Sequence, residues 1–418
     1  MVEIRKPIQV KDAVAKVIEQ AALMPIKEIE LAKSYGYILA EPIIAKHDVP
    51  SFSNSPYDGF AIRSQDSIGA SGTNRITFQV IDHIGAGQVS GKKLEALEAV
   101  RIMTGALVPE GADAVVMLEQ AGESENSFSI RKPFSPLENI SLQGEDAKLG
   151  EVLIPSGTII HPGTIALLAT FGYAKVKVRT KPKVGIICTG TELVQVHEDL
   201  QPGKIRNSNG PMIEAQLERI GIEAYSYGML SDDLDSCYEL VKTALDEMDC
   251  LITTGGVSVG DFDFLPDIYA RLDAEVLFNK VAMRPGSVTT AAVANGKILF
   301  GLSGNPSACY TGFELFTKPA IQTMMGNKQP YLPYTKAILL EEITKPNPFS
   351  RFIRSIYAFN GTEATVVSAG FNKSNAVTSI AKGNAFIVLP GGTRNFSKGD
   401  LVDVLLLGIE EGVSSWNL

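Results

Sequence analysis

Alternating strand and helix patterns fill the middle of the chain, between about residues 183 and 325. Four apolar stretches have the length of buried strands and are separated by helical patterns: residues 184–188, 224–227, 250–253 and 298–302. This order is typical of a doubly wound parallel sheet with helices on both faces. Ligands of such sheets bind beyond the carboxyl ends of the strands, so the residues after each stretch are the first candidates for function.

Glycines and hydroxyls follow these stretches, and the run at 255–263 reads GGVSVGDFD. Glycine lets main-chain N–H groups approach an anion closely, whereas carboxylates repel a phosphate unless a cation lies between them. The run therefore predicts a phosphorylated ligand that is handled with a divalent metal. The candidate ligand-binding residues at the strand ends are Thr189, Gly190, Gly255, Gly256, Ser258, Gly304, Asn305 and Pro306.

Three carboxylates at these strand ends are candidates for catalysis: Glu192, Asp232 and Asp263. The interpretations of Glu192 and Asp232 each have a structural alternative. Glu192 could be an exposed charge early in a helix. Ser231 or Asp232 could cap the helix whose apolar face runs from residue 234 to 245. Asp263 is the preferred metal ligand of the 255–263 run.

Positive charge gathers around the sequence MRPGS at 283–287. Lys280, Arg284 and Ser287 would suit a tetrahedral oxyanion or a phosphate. The structural alternative is a pair of surface cations before a turn, which is the preferred interpretation for Lys280 alone.

The flanking regions have a different texture. An apolar stripe predicts a helix over 10–23, and short β-rich pieces interrupted by turn residues fill 42–150. Strand patterns at 335–340, 351–359, 364–367 and 386–389 indicate a small β domain. The predicted domains are an N-terminal region over 1–180 with a β-rich insertion at about 50–145, an α/β domain over 181–327 and the β domain over 333–410.

Composition excludes several classes of protein. The 418 residues are 45% hydrophobic and 20% charged, and the formal net charge of −9 disfavours broad binding to nucleic acid. The charged N-terminus lacks the apolar core of a signal peptide, and no apolar run approaches the length of a membrane span. The four cysteines and four histidines are scattered and form no zinc signature. We expect a soluble cytoplasmic protein.

Seven motifs, taken in order, resemble the molybdopterin molybdenumtransferase family, which includes the E domain of gephyrin. The resemblance covers nearly the whole chain. The motifs are NSPYDGFA at 54–61, RIMTGA at 101–106 continuing to PEGADAVVM at 109–117, GED at 144–146, TGTEL at 189–193, TGGVSVG at 254–260, MRPG at 283–286 and GNPS at 304–307.

The resemblance implies an enzyme that takes adenylylated molybdopterin and molybdate, cleaves the phosphoanhydride with Mg²⁺, inserts molybdenum at the dithiolene and releases AMP. It also implies an elongated homodimer with a barrel-like C-terminal domain. The active cleft would lie between the α/β domain of one subunit and the β-rich insertion of the other. Neither nucleic acid nor a membrane is an implied partner, whereas an adenylyltransferase acting upstream is one.

Individual roles follow from the same resemblance. Positions needed for activity in the family match Asp58, Thr104, Asp146, Glu192, Asp232 and Asp263, of which Asp232 and Asp263 are the expected Mg²⁺ ligands. The expected molybdate-binding residues are Lys280, Arg284, Ser287, Arg354 and Ser374. Turn chemistry alone offers an alternative explanation for Asp58, and a plain acidic loop offers one for Asp146.

One departure from the family pattern keeps alternatives open. Many relatives have two lysines in a KPGK-like run where this chain has Arg284 and Ser287, so one cation is lost and tungstate becomes an alternative to molybdate. A molybdopterin adenylyltransferase is the alternative enzyme, although it resembles the α/β module alone. A scaffold without catalysis, like the second role of gephyrin, is the third alternative.

Overall fold

The computed structural model describes residues 6–230, 233–255, 264–346 and 348–408. The chain forms two compact units, of which the first comprises Met1–Ala40, Gly157–Pro162 and Lys175–Leu418 and the second comprises Glu41–Ser156 and Gly163–Ala174. The domain boundaries expected from the sequence remain a prediction. In the described ranges no helix has the length and apolar character needed to cross a membrane.

The N-terminal part of the chain begins with one helix, and most of it is β structure. The predicted helix over 10–23 is shorter than expected and ends at Glu19, but Ala21 beyond it still packs on the core. The elements up to residue 180 are α1 Val10–Glu19, β1 Ile26–Glu30, β2 Ile43–Ile44, β3 Gly59–Ile62, β4 Ile76–Ile84, β5 Glu98–Ile102, β6 Ala114–Met117, β7 Gly122–Glu123, β8 Ser127–Ile130, β9 Val152–Ile154, α2 Pro162–Thr170 and β10 Lys175–Arg179.

The second unit is built on a six-stranded sheet in the order β6-β3-β5-β4-β8-β7. Only β4 and β5 are parallel neighbours, and the other pairs are antiparallel. Phe60, Phe78 and Phe128 stack in its core, with ring centroids 4.0 Å and 5.4 Å apart for the two pairs that share Phe128. Stacked aromatic rings of this kind bury much apolar area on one face of a small sheet.

The middle of the chain follows the alternation predicted from the sequence. Its elements are β11 Val184–Thr189, β12 Leu193–Val194, β13 Ile205–Arg206, α3 Asn209–Arg219, β14 Ala224–Leu230, α4 Leu234–Glu247, β15 Cys250–Thr254, α5 Leu265–Arg271, β16 Glu275–Phe278, β17 Met283–Arg284, β18 Thr290–Ala294, β19 Lys297–Leu302, α6 Pro306–Gly312 and α7 Lys318–Met324. A π-helical turn, Phe313–Thr317, joins the last two helices.

The six-stranded sheet of this region has the order β14-β11-β15-β19-β18-β16. The first four strands are parallel, and β18 and β16 add an antiparallel edge that was not predicted. Successive residues of a strand point to opposite faces. Accordingly Ile186 packs with α1, α3 and α6 on one face, whereas Ile187 packs with α4 and α5 on the other. The doubly wound fold is confirmed.

The C-terminal part is a closed barrel. Its elements are β20 Tyr334–Leu339, β21 Ser350–Phe359, β22 Ala364–Ser368, α8 Thr378–Lys382, β23 Ala385–Leu389 and β24 Leu401–Leu406. The strands pair in the order β21-β22-β20-β24-β23, and β23 returns to β21, which closes the ring. The strand β17 pairs with β21 from outside the ring. The barrel-like domain expected from the sequence is confirmed, although β24 was not among the predicted strands.

Candidate active site

The carboxyl ends of the four parallel strands lie side by side at one edge of the sheet. Cys188 pairs with Thr254, and Thr254 pairs with Leu302, so β11, β15 and β19 end at the same level. The residues that follow them therefore meet, as expected for an open α/β sheet. These residues include Thr189, Gly255 and Gly304.

Glycine is required where two of these strand ends touch. Gly255 has φ +89°, and a Cβ there would lie 2.3 Å from the carbonyl oxygen of Thr189. A Cβ on Gly304 would lie 3.6 Å from the Cα of Gly255, and the Gly255 N–H donates to the carbonyl of Leu302 at 3.2 Å. The site therefore presents bare main chain, which is the surface that an anionic ligand can approach closely.

Glu192 lies directly over this edge. Its carboxylate folds back on Gly190, where a Cβ would lie 2.6 Å from Oε2, and Leu193 N–H donates to the Gly190 carbonyl at 3.2 Å. The chain then continues into the short strand β12. The alternative interpretation of Glu192 as an exposed charge early in a helix is right about its exposure and wrong about the helix, because a turn and a short strand follow Gly190.

The start of α4 corrects another expectation. Asp233 is the N-cap, and its carboxylate accepts from the Ser236 N–H at 2.9 Å. Hydrogen bonds from the Ser236 side chain and from its N–H lower the pKa of Asp233. The expectation that Ser231 or Asp232 caps the helix was wrong by one or two residues, so capping no longer explains an aspartate at position 232.

Several expected site residues lie outside the described part of the chain. They are Asp232, Gly256, Ser258 and Asp263. Within the described ranges no group of three or more His, Cys, Asp or Glu residues could hold a metal ion.

The turn that opens α6 contains Asn305 and Pro306, two of the candidate ligand-binding residues. Asn305 is the N-cap residue, and Pro306 occupies the first helical turn, where its missing N–H has no cost. Ser307 then joins this helix to a loop of the barrel: its N–H donates to the Ser374 carbonyl at 3.0 Å and its Oγ donates to the Ala376 carbonyl at 2.6 Å.

A cavity of about 310 Å³ lies beside that loop and is rich in positive charge. No Asp or Glu in the described ranges lines it. Burial lowers the pKa of Arg351, which pairs in register with Arg284 across β17 and β21. The charged and polar residues that line the cavity are Arg284, Lys345, Arg351, Asn372, Lys373, Ser374 and Asn375.

Arg354 lies behind this cavity and does not line it. The side chain is 1% exposed, its Nε donates to Ser379 Oγ at 3.0 Å, and its Nη2 donates to the Lys373 carbonyl at 3.2 Å. Burial lowers the pKa of Arg354 to about 10. This guanidinium holds the loop that carries Lys373 and Ser374.

Two other expected oxyanion residues are placed away from the cavity lining. The Ser287 carbonyl accepts from Val281 N–H at 2.8 Å, and the Lys280 carbonyl accepts from Ile8 N–H at 3.1 Å. Sequence reasoning missed Lys345, Arg351 and Lys373. Their only signal was that basic residues flank predicted strands, which is common on any protein surface.

Asn209 was also missed. It begins α3, and its Nδ2 donates to Thr254 Oγ1 at 2.7 Å and to the Gly304 carbonyl at 2.9 Å. Asparagine before an apolar helix usually indicates a cap, so the sequence offered no reason to place this side chain among the strand ends.

The second unit brings two of its three expected residues together. Asp58 Oδ1 accepts from the Thr104 N–H at 2.7 Å and from Thr104 Oγ1 at 2.9 Å. These bonds lower the pKa of Asp58. Asp146 lies on another loop of the unit, where its N–H donates to the Val49 carbonyl at 3.0 Å.

Comparison with known proteins identifies the family. A curated molybdopterin molybdenumtransferase from Staphylococcus aureus (strain Mu50) is 58% identical over 406 residues, which are 97% of each chain. The chain belongs to the molybdopterin molybdenumtransferase family. A relative of the same name from Staphylococcus epidermidis is 57% identical over 405 residues, again 97% of each chain. The resemblance drawn from the motifs is confirmed, and so is the prediction that the chain is an enzyme.

Three domain models of the family match in succession. The MoeA N-terminal region (domain I and II) matches residues 8–172, a probable molybdopterin binding domain matches 185–323, and the MoeA C-terminal region (domain IV) matches 336–407. The crystal structure of a molybdopterin biosynthesis MoeA protein from Pyrococcus horikoshii OT3 has a TM-score of 0.84 at 30% identity and covers 96% of this chain and 100% of its own.

Proposed function

We propose that the protein inserts molybdenum from molybdate into adenylylated molybdopterin and releases AMP in an Mg²⁺-dependent reaction. The observation that carries the proposal is the pair of sites in the first unit. A glycine-lined edge of parallel strands suits a phosphorylated ligand, and a cationic cavity suits an oxyanion. The helix α6 begins at the first site, and its Ser307 bonds to the loop of the second.

The cavity is proposed as the molybdate site. Molybdate is a tetrahedral dianion, and Arg284 with Arg351, Lys345 and Lys373 supplies donors and charge while no described carboxylate opposes them. Ser374 adds a polar group to the lining. Arg354 acts from behind by holding the Lys373 carbonyl. Lys280 and Ser287 stay candidates on the strength of the family resemblance.

The strand-end edge is proposed to bind the adenylylated molybdopterin. Thr189, Gly190, Gly255 and Gly304 line the edge in the structure. The proposal extends this surface along the chain to Gly256 and Ser258, and into the helix start at Asn305 and Pro306. Glu192, whose carboxylate overlies Gly190, is proposed to accept hydrogen bonds from the substrate.

Asp232 and Asp263 are proposed to hold Mg²⁺. Each follows one of the parallel strands that end at the substrate edge, and Asp233 already caps α4, which frees Asp232 for another role. When bound, Mg²⁺ would supply charge neutralisation at the phosphoanhydride. Asp58, held ionised by Thr104, and Asp146 are proposed to be needed for turnover.

The remaining proposals concern assembly and place of action. We propose that the enzyme works as a homodimer, that an adenylyltransferase supplies its substrate and that it acts in the cytoplasm. Native mass measurement tests the first of these. Tungstate in place of molybdate remains the alternative metal, because Ser287 replaces a lysine of the common pattern.

One assay tests the reaction. Purified protein is incubated with adenylylated molybdopterin, Mg²⁺ and either molybdate or tungstate, and AMP and the metal-loaded cofactor are measured. AMP release that depends on Mg²⁺ and is followed by cofactor formation is the expected result. Absence of AMP above background would overturn the proposal, and adenylylation of molybdopterin from ATP would favour the alternative enzyme. Asp263→Asn should bind the substrate and release AMP far more slowly.

A further inference from the structure

The side chain of Asn209 joins two of the strand ends at the substrate edge. It is 7% exposed, and both hydrogens of its Nδ2 are used, one by Thr254 Oγ1 at 2.7 Å and one by the Gly304 carbonyl at 2.9 Å. Thr254 ends β15, and Gly304 lies in the turn between β19 and α6. One amide therefore bridges two segments that are about fifty residues apart in the chain.

The two ends of the amide differ. Asn209 Oδ1 is buried and has no hydrogen-bond partner in the part of the chain that the structure describes. The Nδ2 donors have partners at two strand ends, so they carry the bridge.

Helix capping does not account for the side chain. The N–H of Gly210 at the start of α3 is satisfied by Asn207 Oδ1 at 3.1 Å. Ser208, the N-cap residue, makes no side-chain capping bond, and Asn209 itself points its amide at the strand ends. A leucine or methionine at position 209 would fill the space but would leave the Gly304 carbonyl without its amide donor.

The bridge acts where main-chain geometry matters most. Gly255 follows Thr254 directly, and a Cβ added to Gly304 would already be in van der Waals contact with the Gly255 Cα, at 3.6 Å. A shift of the Gly304 turn relative to β15 would change the distance between the two glycine backbones. Displacements of about 1 Å in a binding site can reduce catalytic efficiency a hundredfold.

We propose that Asn209 is a positioning residue that sets the spacing between the Thr254–Gly255 strand end and the Gly304 turn, and thereby the fit of adenylylated molybdopterin. The proposal rests on the proposed function of this edge. It concerns substrate binding and not the oxyanion cavity. Removal of the amide donors should therefore raise KM for adenylylated molybdopterin and leave KM for molybdate unchanged.

Gln216 offers a matched control on the same helix. It is also buried, its Nε2 donates to Glu314 Oε1 at 2.7 Å, and its Oε1 has no described partner. Glu314 lies in the π-helical turn and not at the strand ends. Gln216→Leu and Asn209→Leu therefore each remove one buried amide, but only the second removes one that contacts the substrate edge.

The experiment compares steady-state kinetics and thermal stability for wild type, N209L and Q216L. We expect both variants to lose thermal stability, Q216L at least as much as N209L because its amide donates to the buried carboxylate of Glu314, and only N209L to raise KM for adenylylated molybdopterin, by about tenfold or more. N209D keeps the shape of the side chain and replaces the donor by an acceptor, so it should raise the same KM and serves if N209L does not fold.

The outcomes separate the two levels of inference. An inactive wild-type protein that does not bind adenylylated molybdopterin would overturn the proposed function, and the role of Asn209 with it. With an active wild type, a KM for N209L and N209D no higher than that of Q216L would leave Asn209 a purely structural residue and overturn this inference alone. A parallel rise in KM for molybdate would also contradict it.

Discussion

Replacing Arg351 by methionine removes one cation from the proposed molybdate cavity. Methionine keeps much of the apolar volume of the arginine side chain, so the change is mainly one of charge and donors. In the structure Arg351 Nη1 donates to the Lys345 carbonyl at 3.1 Å, which leaves further N–H groups of the guanidinium for a ligand. Burial lowers the pKa of Arg351, which means that its charge is poorly solvated and would gain from an anion.

The size of the effect follows from one lost charge-assisted hydrogen bond. Such a bond contributes about 1.5–3 kcal/mol, which corresponds to a change of about 10- to 150-fold in affinity. Arg284, Lys345 and Lys373 remain around the cavity, so binding should weaken and not disappear. We expect KM for molybdate to rise by this factor, while kcat at saturating molybdate changes by less than about twofold. The reason is that the lost hydrogen bond stabilises bound molybdate equally in the ground state and in the transition state.

Equilibrium dialysis of molybdate and steady-state AMP release measure the two quantities. Arg271→Met is the matched control, since Arg271 forms an ion pair with Asp235 at 2.6 Å and lines no part of the cavity. The dependence of KM for molybdate on salt should also be weaker in R351M, because one screened charge is gone. Wild-type molybdate affinity in R351M, or an equal loss in R271M, would refute the assignment of the cavity.

Three further predictions test other parts of the protein. Because Thr104 lowers the pKa of Asp58, the wild-type carboxylate is ionised from about pH 6 to 9. The ratio of D58N to wild-type turnover should therefore stay constant over that range. A pH–rate profile in which this ratio rises toward acid pH would contradict the prediction. Gly255→Ala should lower the free energy of unfolding by about 1–2 kcal/mol through its positive φ alone and should reduce turnover, as measured by urea unfolding and AMP release. Glu314→Gln removes the buried carboxylate that pairs with Arg219 and should lower the free energy of unfolding, measured with denaturant, by about 3 kcal/mol. This value is at the low end for a broken buried ion pair, because the Arg219 side chain is 28% exposed.

The central sheet was predictable because buried parallel strands are continuous apolar runs. The predicted strand at 250–253 became Cys250–Thr254, and the one at 298–302 became Lys297–Leu302. The antiparallel edge was missed because its two strands lack such continuous apolar runs. In β16 Glu275 and Val276 are exposed, and β18 is made largely of alanine, so neither strand has the apolar run that marks a buried neighbour.

The strand that closes the barrel illustrates a second limit. The sequence of β24, LVDVLL, alternates in burial, but its partners β20 and β23 come from elsewhere in the chain. A strand of this length is stable only once both neighbours are present. Local pattern therefore identified a small β domain, while ring closure depended on contacts that the sequence does not display.

The same distinction applies to the candidate site. The meeting of Thr189, Gly255 and Gly304 was predictable because parallel strands end at one edge. Asn209 was not, since a residue type that usually caps helices gives no sign that it will reach two strand ends instead. The cations of the cavity were missed because Arg351 and Lys373 meet only after the barrel has closed.

The short segment that begins α6 connects the two sites of the first unit along the chain. Gly304 belongs to the substrate edge, and three residues later Ser307 donates to the carbonyls of Ser374 and Ala376 in the loop that borders the cavity. Arg354 holds the same loop from the barrel side through the Lys373 carbonyl. The loop is thus fixed from both sides by buried donors, each of which would leave an unpaired carbonyl if it moved. Ser307 and Arg354 therefore anchor the cavity loop through bonds that do not involve Asn209, so loss of the Asn209 bridge should change the substrate edge and leave the oxyanion cavity in place.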